Sequence, residues 1–353
     1  MRGTSLSKDF NQFLIEQNPF VFFRLPKSSK IHCYFQKDQK LNFTKDFKIN
    51  GFIMGTFKKN NQTLFIPAKN HLEYDFIKAR VKTNDLKVIP KDDHRASFFS
   101  LVNKTKDSIQ NGVLKKLVVA RSIELIKKVD SFSLFSNLLS LYPDAMVYYW
   151  FNPQFGTWVG ASPESLFSIH SGKFQTMALA GTLSYREDGY YPWEEKEKNE
   201  QRLVADAIMN ILKKLFRKKE VLCSDTFTRR AGNLVHLCNM FSVNTTTFNL
   251  HQIIDELHPT PAVGGIPKKE GIKFLSKNEN FDRSFYTGFF GPIAYANKVD
   301  LFVNLRCAQI TDQVVKFYVG AGITSASIAD REWEETQKKA QTLLKAIPLK
   351  DFI

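Results

Sequence analysis

Through the first 110 residues apolar positions come in short runs broken by polar turns. Phe20 to Leu25, Ile31 to Phe35, Phe52 to Phe57 and Thr63 to Ile66 each predict a strand. From Leu114 the texture changes. Lys116 to Arg121 predicts a compact strand, Phe132 to Leu141 carries helical spacing, and Met146 to Phe151 with Trp158 to Gly160 predict paired strands. The strongest helical pattern runs from Glu194 to Lys218, where Leu203, Ala207, Ile208, Ile211, Leu212 and Leu215 share one face and charges take the other. A second acidic helix is predicted from Asp330 to Ala346, with Pro348 as its stop. Glycines at Gly264-Gly265, Gly288 to Gly291 and Gly320 to Gly322 suit tight turns or a close approach of backbone to a ligand. There is no internal repeat, low-complexity tract or Pro/Ser-rich linker, so one composite α+β domain is expected.

Composition narrows the class. The chain has 353 residues, 43% of them hydrophobic and 24% charged, enough apolar material for a large core. Its longest uncharged stretches, Ala145 to Pro163 and Ala231 to Ile254, are studded with polar residues, so no membrane span is expected. The early apolar cluster is interrupted by Gln17, Asn18 and Pro19, which argues against a secretory leader. Cys33, Cys223, Cys238 and Cys307 are widely spaced and form no CxxC pair, which points to a reducing, cytoplasmic setting. The net charge of +15 is uneven: residues 1–130 hold 25 Lys and Arg against 12 Asp and Glu, and residues 131–353 hold 25 against 23. The excess is mostly scattered lysine, without the Arg-rich or Gly/aromatic signature of a nucleic-acid surface, so no nucleic-acid partner is expected. The same field would draw in a small anion.

Several residues could carry chemistry. Glu197 and Glu200 are i,i+3, as are Glu332 and Glu335, with Lys339 one turn beyond Glu335. If the two faces converge they form an oxygen-rich site for a hard cation such as Mg²⁺; otherwise they are solvated acidic surface. Glu164 follows an apolar strand and precedes Ser165 to Phe167, at the edge of core, where desolvation would raise its pKa and suit it to act as a general acid. Lys116 stands among Leu117, Val118 and Val119, a context for a base if buried, or for a plain strand-edge lysine if not. Arg306, at the end of an alternating strand from Phe302, could aim a planar donor at a carboxylate, and Tyr286 could add a hydroxyl. Gly320 to Ile323 could offer backbone N–H groups to an anion, while His236 and His258 taken alone read as structural.

Taken in order, these segments resemble the chorismate-utilising enzymes, the family of isochorismate, salicylate, anthranilate and aminodeoxychorismate synthases. The resemblance rests on Lys116 to Arg121, Ser162 to Glu164, Ala178 to Thr182, Glu197 with Glu200, Leu257 to Ala262, Arg283 to Gly288, Leu305-Arg306, Gly320 to Ile323, and Glu332 to Thr336 with Lys339. It spans roughly residues 110–346, so 111–353 would be the chorismate-binding core and 1–110 a variable N-terminal part of the same domain. The fold it implies is a single large α+β domain with two packed central sheets and helices outside.

The resemblance also implies roles. Glu200 and Glu335 would hold Mg²⁺, with Glu197 and Glu332 behind them. Tyr286 and Arg306 would bind the enolpyruvyl carboxylate of chorismate. Gly181, Thr182, Gly320, Gly322 and Lys339 would frame the anionic ligand, and His236 would lie near the C4 hydroxyl. Lys116 would activate water for attack at C2, and Glu164 would protonate the departing C4 hydroxyl. Aminodeoxychorismate synthases carry a nucleophilic lysine where this chain has Ala180, and anthranilate and salicylate synthases carry threonine where it has Ala262. The tryptophan-sensing motif of anthranilate synthases is missing, the nearest text being Leu14 to Gln17. An isochorismate synthase, monomeric and without a glutaminase partner, is therefore expected, with menaquinone and siderophore synthesis both open as its pathway. Salicylate synthase is the nearest alternative, followed by an anthranilate synthase component and a non-catalytic basic binding module. One departure is Gln201, where the family often has histidine.

Overall fold

The computed structural model describes residues 5–58, 62–81, 94–294 and 298–348, and within them the strands gather into two antiparallel sheets. The first runs, in spatial order, Gly265–Ile266, Lys116–Ile126, Val314–Ile323, Cys307–Ile310, Gly156–Ser162, Met146–Asn152, Phe20–Arg24, Lys30–Phe35 and His71–Asp75. The second runs Leu222–Cys223, Leu234–Asn244, Lys173–Ser184, Ser165–His170, Lys298–Val303, Phe289–Ala294, Asn50–Gly55, Thr63–Pro67 and Phe43–Thr44, with Phe227–Ala231 also paired to Leu234–Asn244. Seven helices are present among the described residues: α1 Leu6–Glu16, α2 Arg95–Gln110, α3 Ser131–Leu141, α4 Glu195–Leu215, α5 Leu250–Leu257, α6 Lys268–Asn278 and α7 Ala329–Leu344.

Side-chain alternation explains the layering. In Met146–Asn152 every residue is buried, because Met146, Tyr148 and Trp150 face the second sheet while Val147, Tyr149 and Phe151 face the helices. Phe20–Arg24 repeats the pattern, with Val21 and Phe23 turned inward and Phe20 and Phe22 outward. A strand covered on both sides reads as a continuous apolar run. Rings bridge the two sheets, Tyr148 to Phe290 at 4.5 Å and Phe23 to Phe52 at 5.0 Å between centroids. Such pairs add about 0.5–1.5 kcal/mol each beyond their buried area. On the outer faces, α1, α3 and α7 pack on the first sheet and α4 and α5 on the second.

The structure refines several expectations. The compact strand at Lys116 continues to Ile126, because it pairs from Leu117 to its end with Val314–Ile323. That partner places Gly320 and Gly322 inside a strand rather than at a turn. Arg306 is not on a strand: Lys298–Val303 ends three residues earlier, and Arg306 adopts a left-handed φ of 49° in the link to Cys307–Ile310. In α4 the fully buried stripe is Val204, Ile208 and Leu212, with Glu200 and Gln201 beneath it, about one position off the predicted face. α7 stops at Leu344, ahead of Pro348, in a closing turn where Ile347 N–H donates to the Leu344 carbonyl. Helices α1 and α2, in the segment read only as strands and turns, lie outside the sequence expectation. No helix among the described residues is long and apolar enough to cross a membrane.

Candidate active site

A cleft open at its mouth lies where the ends of both sheets meet α4, α7 and the turn Arg283 to Gly288. Of the residues singled out from sequence, Glu164, Gly181, Thr182, Glu200, His236, Ala262, Tyr286, Arg306, Gly320, Gly322, Glu335 and Lys339 line it. Lys116 lies outside this lining and pairs with Glu200 of it, while Glu197 and Glu332 lie outside it and share Lys196. His258 is elsewhere: its Nε2 donates to the Thr56 and Phe57 carbonyls, a structural role.

Glu164 is 3% exposed, and burial pushes its pKa up to about 7 against the opposing pull of Lys116 and a long contact from the Thr260 hydroxyl at 3.5 Å. A carboxyl so poised is part protonated at neutral pH and can give up a proton. Lys116 is fully buried, which excludes a surface lysine. Its ammonium lies 3.2 Å from Glu200 Oε1 and donates to the Pro261 carbonyl at 3.1 Å. Thr260, between the cis His258-Pro259 bond and Pro261, went unnoticed in the sequence; only the run His258 to Ala262 hinted at it.

The opposite wall is cationic. Arg306 Nη1 donates to Thr342 Oγ1 at 2.8 Å and Nη2 stands 3.5 Å from His236 Nε2. His236 Nδ1 donates to the Gly181 carbonyl at 2.8 Å, leaving Nε2 as an acceptor. Burial and then the charges of Arg306 and Lys339 hold the His236 pKa down to about 3, so the ring is neutral. Gly181 can aim its carbonyl there because it sits at φ 68° in a register shift of its strand against Leu234–Asn244. Tyr286 is buried with its phenol pKa raised, chiefly by desolvation, which keeps it a neutral donor. Lys339 donates to the Gly320 carbonyl at 2.8 Å and pairs with Glu335 at 2.7 Å.

The acidic residues of α4 and α7 are not solvated surface. Glu200 and Glu332 are buried at 7% and 1% exposure, and both helices share Lys196, which stands 2.7 Å from Glu332 Oε1 and 3.9 Å from Glu197 Oε1. Lys196 also feels Glu335 and Glu200, so the four carboxylates belong to one electrostatic cluster. Burial, then the charge of Glu335, raises Glu332 to about 7; at Glu335 burial is outweighed by Lys339 and Lys196, and its pKa falls. One oxygen of Glu197 and Oε2 of Glu332 have no hydrogen-bond partner. Unpartnered oxygens in an all-oxygen donor set fit a hard divalent cation. Among the described residues these carboxylates do not bring three oxygens within 4.8 Å, so such an ion would take only one or two of them directly. Gln201 turns away from the cleft, its amide donating to the Ala178 carbonyl and Asn239.

A further pair escaped the sequence reading. Arg283 and Glu279 are buried together, and Arg283 also donates to the carbonyls of Val118 and Val263, tying the Tyr286 turn to the strand that carries Lys116. The four-residue spacing from Glu279 to Arg283 was its one visible signal.

The family model described as chorismate binding enzyme matches residues 56–348. Anthranilate synthase component 1 of Aquifex aeolicus is 26% identical over 285 residues, 78% of this chain and 57% of that protein. Isochorismate synthase of Haemophilus influenzae is 28% identical over 254 residues, 69% of this chain and 58% of that protein. The chain thus spans about three fifths of the length of these curated relatives. A Bacillus anthracis structure, provisionally named a 2,3-dihydroxybenzoate-specific isochorismate synthase, superposes with a TM-score of 0.79 at 21% identity, covering 97% of this chain and 99% of that one. The menaquinone-specific isochorismate synthase of Escherichia coli gives 0.76 at 19% identity, with 93% and 89% covered. With the fold shared and most of its length matched, the chain belongs to the chorismate binding enzyme family.

Proposed function

We propose that the protein is an isochorismate synthase, which adds water at C2 of chorismate while the C4 hydroxyl leaves. The observation that carries this is the cleft wall itself. It holds a buried carboxyl with a pKa near 7 at Glu164, and at Ala180 and Ala262 it offers methyl groups in place of the lysine and threonine of the aminating and pyruvate-releasing relatives. Hydroxide leaves poorly, so a proton from Glu164 lets it depart as water. Lys116, in its neutral form, takes the proton of the attacking water. Glu200 Oε1 stands 3.2 Å from the Lys116 nitrogen, so base function requires that carboxylate to turn aside and leave room for the water. Substrate and product have the same mass, since one water enters and one leaves.

Arg306 and Tyr286 bind the enolpyruvyl carboxylate, and neutral His236 presents Nε2 as an acceptor near the C4 hydroxyl. Gly181, Thr182, Gly320, Gly322 and Lys339 frame the ligand. Glu200 and Glu335 would hold Mg²⁺, with Glu197 and Glu332 behind them, and the bound ion would offset the charge of the ring carboxylate. The enzyme works in the cytoplasm as a monomer, without a glutaminase subunit, and supplies menaquinone or siderophore synthesis. An anthranilate synthase component stays as a second reading because two relatives of that name match 78% and 88% of the chain, against 69% and 70% for two isochorismate synthases.

The test is purified protein with chorismate and Mg²⁺, without and with ammonium, and with EDTA as the metal control. A Mg²⁺-dependent isomer of unchanged mass without pyruvate is expected. Salicylate with pyruvate, or an ammonium-dependent aminated product, would overturn the assignment.

A further inference from the structure

Far from the acidic helices, the edge of the first sheet gathers a different kind of chemistry. His71 and Glu73 lie two apart on the edge strand His71–Asp75, and His32 lies on its neighbour Lys30–Phe35. The ladder pairs His32 with Glu73 and Tyr34 with His71, so all three donors project from one face. His32 Nδ1 is 3.1 Å from His71 Nε2 and 3.6 Å from Glu73 Oε2. Zinc–nitrogen bonds of about 2.0–2.1 Å in a tetrahedral site place ligand atoms about 3.3–3.4 Å apart, and the two observed spacings bracket that edge. Among the described residues this is the only place where three metal-capable groups come within 4.8 Å of one another. None of the three lines the cleft.

The rings are held. Phe23 stacks on His32 at 5.3 Å, and Tyr34 packs edge-on to His71 at 5.0 Å. A bound cation would have to displace Lys30, which pairs with Glu73 and Asp75, and would face the charge of Lys298, which also reaches His32.

We propose that His32, His71 and Glu73 form a structural site for a borderline divalent cation of the Zn²⁺ class, with water completing the tetrahedron. Imidazole and carboxylate donors suit such an ion, whereas the all-oxygen cluster at α4 and α7 suits Mg²⁺. The ion clamps the edge strand to its neighbour at the rim where the first sheet meets the Thr63–Pro67 strand of the second. It takes no part in turnover.

The test is the full chain, stripped with chelator and titrated with Co²⁺ in the presence of excess Mg²⁺. One equivalent with the intense visible absorption of tetrahedral cobalt is expected, displaced by Zn²⁺. His71→Ala, an exposed position, should weaken that binding at least tenfold. Zn²⁺ should raise the thermal midpoint of the parent protein but not of the variant, whose midpoint without metal serves as the folding control. No tetrahedral spectrum, or cobalt bound equally by His71→Ala, would overturn the site.

Discussion

Glu164 shows how one residue's surroundings decide its chemistry. Its carboxyl is enclosed, and the loss of water outweighs the pull of Lys116, so it titrates near 7. In the general-acid role proposed for it Glu164 must carry its proton, so kcat/KM is expected to fall as pH rises through about 7 and to hold below it until other groups titrate. Glu164→Gln keeps the shape and removes the proton, and chorismate turnover should drop by about 10²–10⁴-fold with the circular dichroism spectrum unchanged. A variant retaining most of its turnover, or a pH profile flat through neutrality, would remove Glu164 from the acid role. Glu164 and Lys116 were legible because a charge bordered by apolar strand residues stands out. Thr260 and Lys196 were not, since a threonine between prolines and a lysine among six charges on a helix start carry no local mark of what they face. Arg306 was legible as a donor but not in its backbone, because its left-handed conformation comes from the link between two sheets.

At the scale of elements, α4 and the strand Val314–Ile323 must approach closely enough for Glu200 to reach Lys116. Gly322 permits it: a methyl group there would overlap Glu200 Oε1 and crowd the Lys116 stem. Gly322→Ala should therefore displace that carboxylate while the strand ladder survives. A misplacement of about 1 Å can cost about 10²-fold, and turnover should fall on that order, with a raised Mg²⁺ requirement seen by titration. Arg283 and Glu279 hold the Tyr286 turn at almost no exposure, so Arg283→Met leaves the buried Glu279 carboxylate without its cation, the Ala120 N–H still donating to it, and should lower stability by about 3–5 kcal/mol in urea unfolding. The strands and the two acidic helices were legible because period and burial agree along them. Helices α1 and α2 were not: α1 shows its core mainly Phe10 and Phe13, too sparse a pattern to separate from the strands that follow.

At the scale of the molecule, the sequence resemblance begins near residue 110, yet the sheets do not respect that line. Phe20–Arg24, Lys30–Phe35 and His71–Asp75 belong to the first sheet, and Phe43–Thr44, Asn50–Gly55 and Thr63–Pro67 to the second. Phe20–Arg24 pairs along its whole length with Met146–Asn152, and Asn50–Gly55 pairs with Phe289–Ala294. Removing the first 110 residues would leave two inner strands with open edges and strip Phe23, Phe52 and Met54 from the layer between the sheets. Open, flat, apolar edges recruit other chains instead of folding. We propose that residues 1–110 and 111–353 are one cooperative unit despite their unequal resemblance to the family. A chain limited to residues 111–353 should therefore aggregate or lack a sharp thermal transition, while the full chain shows a single one. A soluble, cooperatively melting 111–353 fragment that turns over chorismate would show that the N-terminal strands are an addition to a core able to stand without them.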